Sequence, residues 1–125
     1  MADLSGWRIL IVEDNKDARE MLVPVLEQHH AKVMTAASAE EALERFKTDH
    51  PTLALIDLAL PGTDGWELLD MLRADDQYKS VTMVAMTAHD YPEVGEETLN
   101  AGFKAYIPKP VNLRTFVDDL VKVLS

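Results

Sequence analysis

Five polar residues stand at the ends of apolar runs in this chain. Glu13 and Asp14 follow Ile9 to Val12, Asp57 interrupts Leu53 to Leu60, Thr87 closes Thr82 to Thr87, and Lys109 comes just after Ala105 to Ile107. If these runs are strands of one parallel sheet, the five residues share its carboxyl edge, where open α/β sheets bind their ligands. Three carboxylates brought within a few ångströms repel one another and drive one toward the neutral form unless a cation neutralises them. Oxygen donors without His or Cys favour Mg²⁺, or Mn²⁺ in its place, over zinc. A carboxylate beside such an ion, with an ammonium and a hydroxyl at hand, can take up a phosphoryl group. The carboxylate oxygen attacks phosphorus in line, the cations neutralise charge on the equatorial oxygens, and the hydroxyl donates to one of them.

Strands must place these residues, and the pattern supplies five. They are predicted at Arg8 to Val12, Lys32 to Ala36, Leu53 to Leu58, Thr82 to Thr87 and Ala105 to Ile107. The first, third and fourth lack polar alternation, as suits central parallel strands covered on both faces. Helices fall between them. Asn15 to His29 carries Ala18, Met21, Leu22, Val25 and Leu26 on one face, with Pro24 inside, where it costs about 3 kcal/mol or kinks the axis. Ser38 and Glu41 have the spacing of a capping box, and Asp64 and Glu67 repeat it ahead of Trp66, Leu69 and Leu72. Pro92 suits the first turn of a helix ending before Gly102. Asn112 is expected to cap the last, with Leu113, Phe116, Val117, Leu120 and Leu124 as its apolar stripe. Alternating strands and helices require right-handed crossovers and a parallel sheet covered by helices on both faces.

The motifs Ile11-Val12-Glu13-Asp14-Asn15, Ile56-Asp57-Leu58-Ala59-Leu60-Pro61-Gly62-Thr63-Asp64-Gly65, Met86-Thr87-Ala88 and Tyr106-Ile107-Pro108-Lys109-Pro110 occur here in order. Through them the whole chain resembles the receiver domain of two-component response regulators. The resemblance implies a flavodoxin-like doubly wound (βα)5 fold with strand order 2-1-3-4-5, filling residues 1–125 as one domain without an output domain. It implies Asp57 as phosphoacceptor and Mg²⁺ held by Glu13, Asp14, Asp57 and the backbone carbonyl of Ala59. Thr87 becomes the hydroxyl that follows the phosphoryl group, Lys109 its cationic partner, and Tyr106 an aromatic that changes rotamer on activation. It further implies a cis Lys109-Pro110 bond, and it makes Ala59 and His89 positions that set how fast phosphate enters and leaves. The donor would be a histidine kinase or histidine phosphotransfer protein. Output would pass by protein contact through the fourth helix, fifth strand and fifth helix, Asp90 to Leu124, in a monomer or a weak phosphorylation-dependent homodimer. The chain would be a switch, catalysing only its own phosphoryl transfer and dephosphorylation.

Plainer roles compete for the same residues. Glu13 and Asp14 could merely complement a helix dipole, Thr87 serve strand propensity, Tyr106 half-buried packing, and Lys109 a solvated loop. Asp57 inside an apolar strand is harder to explain so, because an unpaired buried charge is expensive, and two flanking prolines limit the backbone at Lys109. Adjacent His29 and His30 do not share a helix face, Trp66 reads as helix packing, and Glu93, Glu96 and Glu97 as a solvated face. Pro108 removes an amide donor at the end of strand five.

Three other functions are weighed against the switch. A phosphohydrolase of the haloacid dehalogenase type needs an Asp two residues after its nucleophile, where this chain has Ala59. A flavodoxin-like electron carrier would find its FMN phosphate repelled by Glu13 and Asp14. A docking domain independent of phosphorylation would fail to be labelled by a small phosphodonor. Composition narrows partners further. With 47% hydrophobic and 27% charged residues the chain is expected to fold, and a net charge of −10 argues against nucleic acid and anionic membranes. Zero cysteines fit a reducing compartment, and the absence of a long apolar run or a basic leader suggests a cytoplasmic protein that is not exported.

Overall fold

The computed structural model describes residues 3–88 and 92–124, with backbone alone at 92 and 93. His89 and Asp90 therefore lie outside the described residues, as does the side chain of Glu93. Five parallel strands, β1 (Arg8–Val12), β2 (Lys32–Ala36), β3 (Leu53–Asp57), β4 (Thr82–Thr87) and β5 (Ala105–Pro108), pair in the order β2-β1-β3-β4-β5. The helices α1 (Lys16–Gln28), α2 (Ala39–Asp49), α3 (Gly65–Arg73), α4 (Pro92–Ala101) and α5 (Phe116–Leu124) alternate with them, and a 3-10 turn at Asp76–Tyr78 precedes β4. This is the flavodoxin-like arrangement that the motifs imply.

Side-chain alternation along each strand builds two cores. Ile9, Ile11, Leu53, Leu55, Val84, Met86 and Ile107 pack with Leu22 and Leu26 of α1 and Phe116, Val117 and Leu120 of α5. Leu10, Val12, Ala54, Ile56, Met83 and Ala85 face the other way, toward α2 and α3 and the half-buried Tyr106 ring. No helix among the described residues is long and apolar enough to cross a membrane.

Several expected boundaries shift, for local reasons. β3 stops at Asp57, one residue short of the expected Leu58, and β5 runs on to Pro108. Proline is tolerated there because β5 is an edge strand paired only with β4. The Asp64 cap is a complete box: its carboxylate accepts from the Glu67 amide at 2.9 Å and the Glu67 carboxylate accepts from the Asp64 amide at 3.4 Å. At Ser38 only half forms. Ser38 accepts from the Glu41 amide, but Glu41 reaches one residue further back, to the Ala37 amide at 3.1 Å. Asn112 does not cap α5. Its side chain accepts from the Arg114 amide at 3.0 Å, closing a turn over 113–115, and the helix begins at Phe116. Leu113 consequently leaves the apolar stripe and is 36% exposed, and Met21 on α1, expected on the buried face, is 53% exposed.

Pro24 sits within α1 without ending it. Its side chain is exposed, so it adds little packing, while its missing amide leaves the Glu20 carbonyl without a helical donor. Pro24→Ala should therefore stabilise the protein by about 1–3 kcal/mol in urea unfolding. An unchanged or lower midpoint would contradict this.

Candidate functional site

Backbone pairing continues past the strand ends and aims the candidate residues. The Glu13 amide donates to the Ala36 carbonyl at 3.0 Å, the Leu58 amide to Met86 at 3.0 Å, and the Lys109 amide to Thr87 at 2.7 Å. From α1, the Arg19 guanidinium donates to the Glu13 carbonyl at 2.7 Å. The peptide bond after Lys109 is cis. Gly65, at the start of α3, lies directly on the backbone of the Asp57 strand end. A β-carbon at Gly65 would fall 2.5 Å from the Asp57 carbonyl oxygen, so only glycine permits this approach.

At the centre, Glu13 and Asp57 are buried, 1% and 4% exposed, and share one ammonium. Lys109 Nζ donates to Glu13 Oε1 at 2.6 Å and to Asp57 Oδ2 at 3.3 Å. Asp57 Oδ1 accepts from the Ala59 amide at 3.0 Å. Glu13 Oε2 is buried and has no hydrogen-bond partner among the described residues. Asp14 is exposed, yet it offers an oxygen that falls with those of Glu13 and Asp57 inside a span of 4.8 Å.

The electrostatics follow from this crowding. Burial, and then the neighbouring Asp57 carboxylate, push the Glu13 pKa up to about 7 against the pull of Lys109. Burial also works to raise Asp57, but contact with the Glu13 carboxyl, the Ala59 amide and Lys109 outweighs it, and Asp57 is held below its ordinary value. Lys109 likewise resists its own burial, through the Glu13 bond and the charge of Asp57, and its pKa rises. One ammonium is too little for three carboxylates. An orphaned buried oxygen within a cluster of hard oxygen donors is what a small dication would satisfy, so these residues fit Mg²⁺.

A cavity of about 320 Å³ opens over Asp57, bounded by Ala59, Trp66, Thr87, Val94 and Lys109. Thr87 is 4% exposed and follows Met83 and Ala85 on the α2–α3 side of the sheet. Tyr106 pairs with Ala85 in the register of β4 and β5, on the same side. Trp66 does pack as expected, edge-on to Phe103 with ring centroids 6.0 Å apart, but it also walls the cavity. Glu96 and Glu97 are exposed, and Glu97 borders the same cavity. His30 Nδ1 lies 3.2 Å from Asp3 Oδ1. Sequence reasoning missed Gly65 and Arg19, whose roles depend on contacts with Asp57 and Glu13. The Gly65 signal was available in outline, as a glycine immediately after a helix cap.

Comparison with known proteins points one way. Residues 9–121 match the family model described as "Response regulator receiver domain". An uncharacterized 14.6 kDa protein from Leptolyngbya boryana is 35% identical over 112 residues, covering 90% of this chain and 86% of that one. The polar-differentiation response regulator DivK of Brucella ovis is 28% identical over 117 residues, covering 94% of this chain and 95% of its own. Among solved structures, the chemotaxis response regulator CheY4 of Vibrio cholerae superposes with a TM-score of 0.88 at 27% identity, over 94% of this chain and 98% of that one.

The raised Glu13 pKa makes a stability prediction. A carboxyl that holds its proton longer when folded gives the native state more bound protons between the unfolded and folded values, so stability falls as pH rises through that window. With divalent cations chelated, the protein should lose stability from about pH 4.5 through about 7. Asp57, lowered, acts below 3.8, and Lys109, raised, acts above 10.5, so neither masks the window. Urea unfolding of wild type and Glu13→Gln across this range should show the loss in wild type alone. Parallel profiles would place the Glu13 pKa elsewhere.

Proposed function

The chain belongs to the response regulator receiver family, phosphorylation switches of two-component signalling, and on that premise we propose that it accepts a phosphoryl group on Asp57 from a histidine kinase or histidine phosphotransfer protein. The observation that carries this reading is the Asp57 carboxylate itself. It is buried at a strand end with Oδ1 on the Ala59 amide and Oδ2 facing Lys109 Nζ, at the foot of an open cavity.

Asp57 attacks phosphorus in line, forming the acyl phosphate as the bond to the donor histidine nitrogen breaks. Lys109, kept cationic by its two carboxylates, neutralises charge on the transferred group, and the Thr87 hydroxyl, on the cavity wall, donates to a phosphoryl oxygen. Receiver domains generally bind Mg²⁺ through an acidic cluster. Here Glu13, Asp14, Asp57 and the Ala59 carbonyl would hold it, or Mn²⁺; bound there, it supplies charge neutralisation at the phosphoryl oxygens. Ala59 leaves no carboxylate two residues after Asp57, which supports a switch that turns over only its own phosphoryl group, with hydrolysis by water. Exposed Met21 and Leu113 rim an apolar cavity of about 160 Å³ that Glu13 and Lys109 also line, which supports docking of the donor protein on that side.

At the end of β4, a phosphoryl group of about −1.5 to −2 charge on Asp57 draws Thr87 inward, and Tyr106 takes up the space vacated. Packed side chains switch between discrete arrangements, so the face of α4, β5 and α5 reports the change to a protein partner or a second copy.

Acetyl phosphate with Mg²⁺ should add one phosphoryl group to wild type and none to Asp57→Asn, read as intact mass. Equal incorporation would sink the assignment, and no incorporation in either would favour a docking domain. Asp14→Ala should weaken Mg²⁺ binding and slow labelling; if both are unchanged, the ion is held elsewhere.

A further inference from the structure

Gly95 is the fourth residue of α4, and its backbone is not in the left-handed region, so the helix does not demand glycine there. A glycine in a helix interior is less favourable than alanine. The reason for it is packing. A β-carbon at Gly95 would fall 2.9 Å from Cε1 of Tyr106 and 3.4 Å from both Cζ and the phenol oxygen. The tyrosine ring therefore occupies the place where any other residue at this position would put its side chain.

The surroundings hold this seat in place. Thr98 is fully buried, and its hydroxyl donates to the Gly95 carbonyl at 2.8 Å. On either side of Gly95 in sequence, Val94 and Glu97 line the cavity over Asp57. One turn of α4 thus borders the candidate phosphoacceptor cavity and carries the Tyr106 ring. Ala85, opposite Tyr106 on β4, is two residues from Thr87.

We infer that Gly95 is a positioning residue, a seat for the Tyr106 ring on α4, and that a side chain at position 95 drives the ring out of that seat without touching the phosphoryl chemistry. The seat stands on the contact alone; its effect on signalling rests on the reading of Tyr106 as the switch. A methyl group at 2.9 Å is closer than carbon atoms pack, and the Tyr106 ring, a side chain that can turn about its own bonds, yields more readily than helix backbone. Removing the seat disfavours the unphosphorylated arrangement, and by linkage the protein binds a phosphoryl mimic more tightly.

The test is NMR of the labelled Tyr106 ring in wild type and Gly95→Ala, with and without beryllofluoride and Mg²⁺. Without the mimic, the ring resonances of Gly95→Ala should be displaced from wild type, along the direction wild type follows when beryllofluoride is added. Beryllofluoride should bind the variant about fivefold more tightly. A companion set measures unfolding. In a Tyr106→Ala background Gly95→Ala should raise the urea midpoint, as helix propensity requires, whereas beside the native ring it should raise it less or lower it. If Gly95→Ala folds only when Tyr106 is absent, the seat is likewise supported. Unmoved ring resonances in Gly95→Ala, or an equal change of midpoint in both backgrounds, would overturn the inference. A wild-type ring that ignores beryllofluoride would overturn the switch reading instead, and the displacement in Gly95→Ala would still decide the seat.

Discussion

Two buried carboxylates, Glu13 and Asp57, share a single ammonium, and most of the molecule's design can be traced to that imbalance. Lys109 cannot neutralise both. The system responds by holding the proton on Glu13 up to about pH 7 while Asp57 is kept ionised, which leaves the Asp57 carboxylate charged at neutral pH. The residual demand for positive charge is one that a dication would meet, and the orphaned Glu13 Oε2 marks where the demand is least satisfied. The phosphoryl group proposed for Asp57 would add negative charge to this neighbourhood, so nearby donors would gain by moving toward it.

The parallel sheet makes such an arrangement affordable. β1, β3, β4 and β5 each carry a polar site residue at or just past the carboxyl end, and the pairing of Leu58 with Met86 and of Lys109 with Thr87 holds those ends level. Alternation divides the work. Strand residues in phase with Asp57 pack toward α1 and α5, whereas those in phase with Thr87 pack on the α2–α3 side, together with Tyr106. The two sides of the sheet meet at the strand ends, where Thr87 and Asp57 line one cavity.

The five strands could be read from the sequence because their β-branched or aliphatic runs are short and alternate with helix-spaced segments, and Asp57 stood out as a charge within one of them. Lys109 could be read because prolines flank it. The cis Lys109-Pro110 bond came from family resemblance, since chain-local preference favours trans. What escaped has two sources. Glu41 choosing the Ala37 amide and Asn112 closing a turn instead of capping α5 are choices among neighbouring amides that spacing alone does not separate, whereas the exposure of Met21 and Leu113 is decided by where the other elements lie. Contacts between distant elements also decide Gly65 against Asp57 and Gly95 against Tyr106; the helix cap before Gly65 marks it only in outline, and the packing role of either glycine shows once its neighbour is known.

The central claim, that Glu13 carries a proton which a cation displaces, is tested most directly by calorimetry of Mg²⁺ binding in buffers of different ionisation enthalpy. At pH 6, below the Glu13 value of about 7, binding should release close to one proton per ion, falling toward none by pH 8, and Glu13→Gln should release none at either pH. Binding to wild type at pH 6 with no proton release would contradict the account.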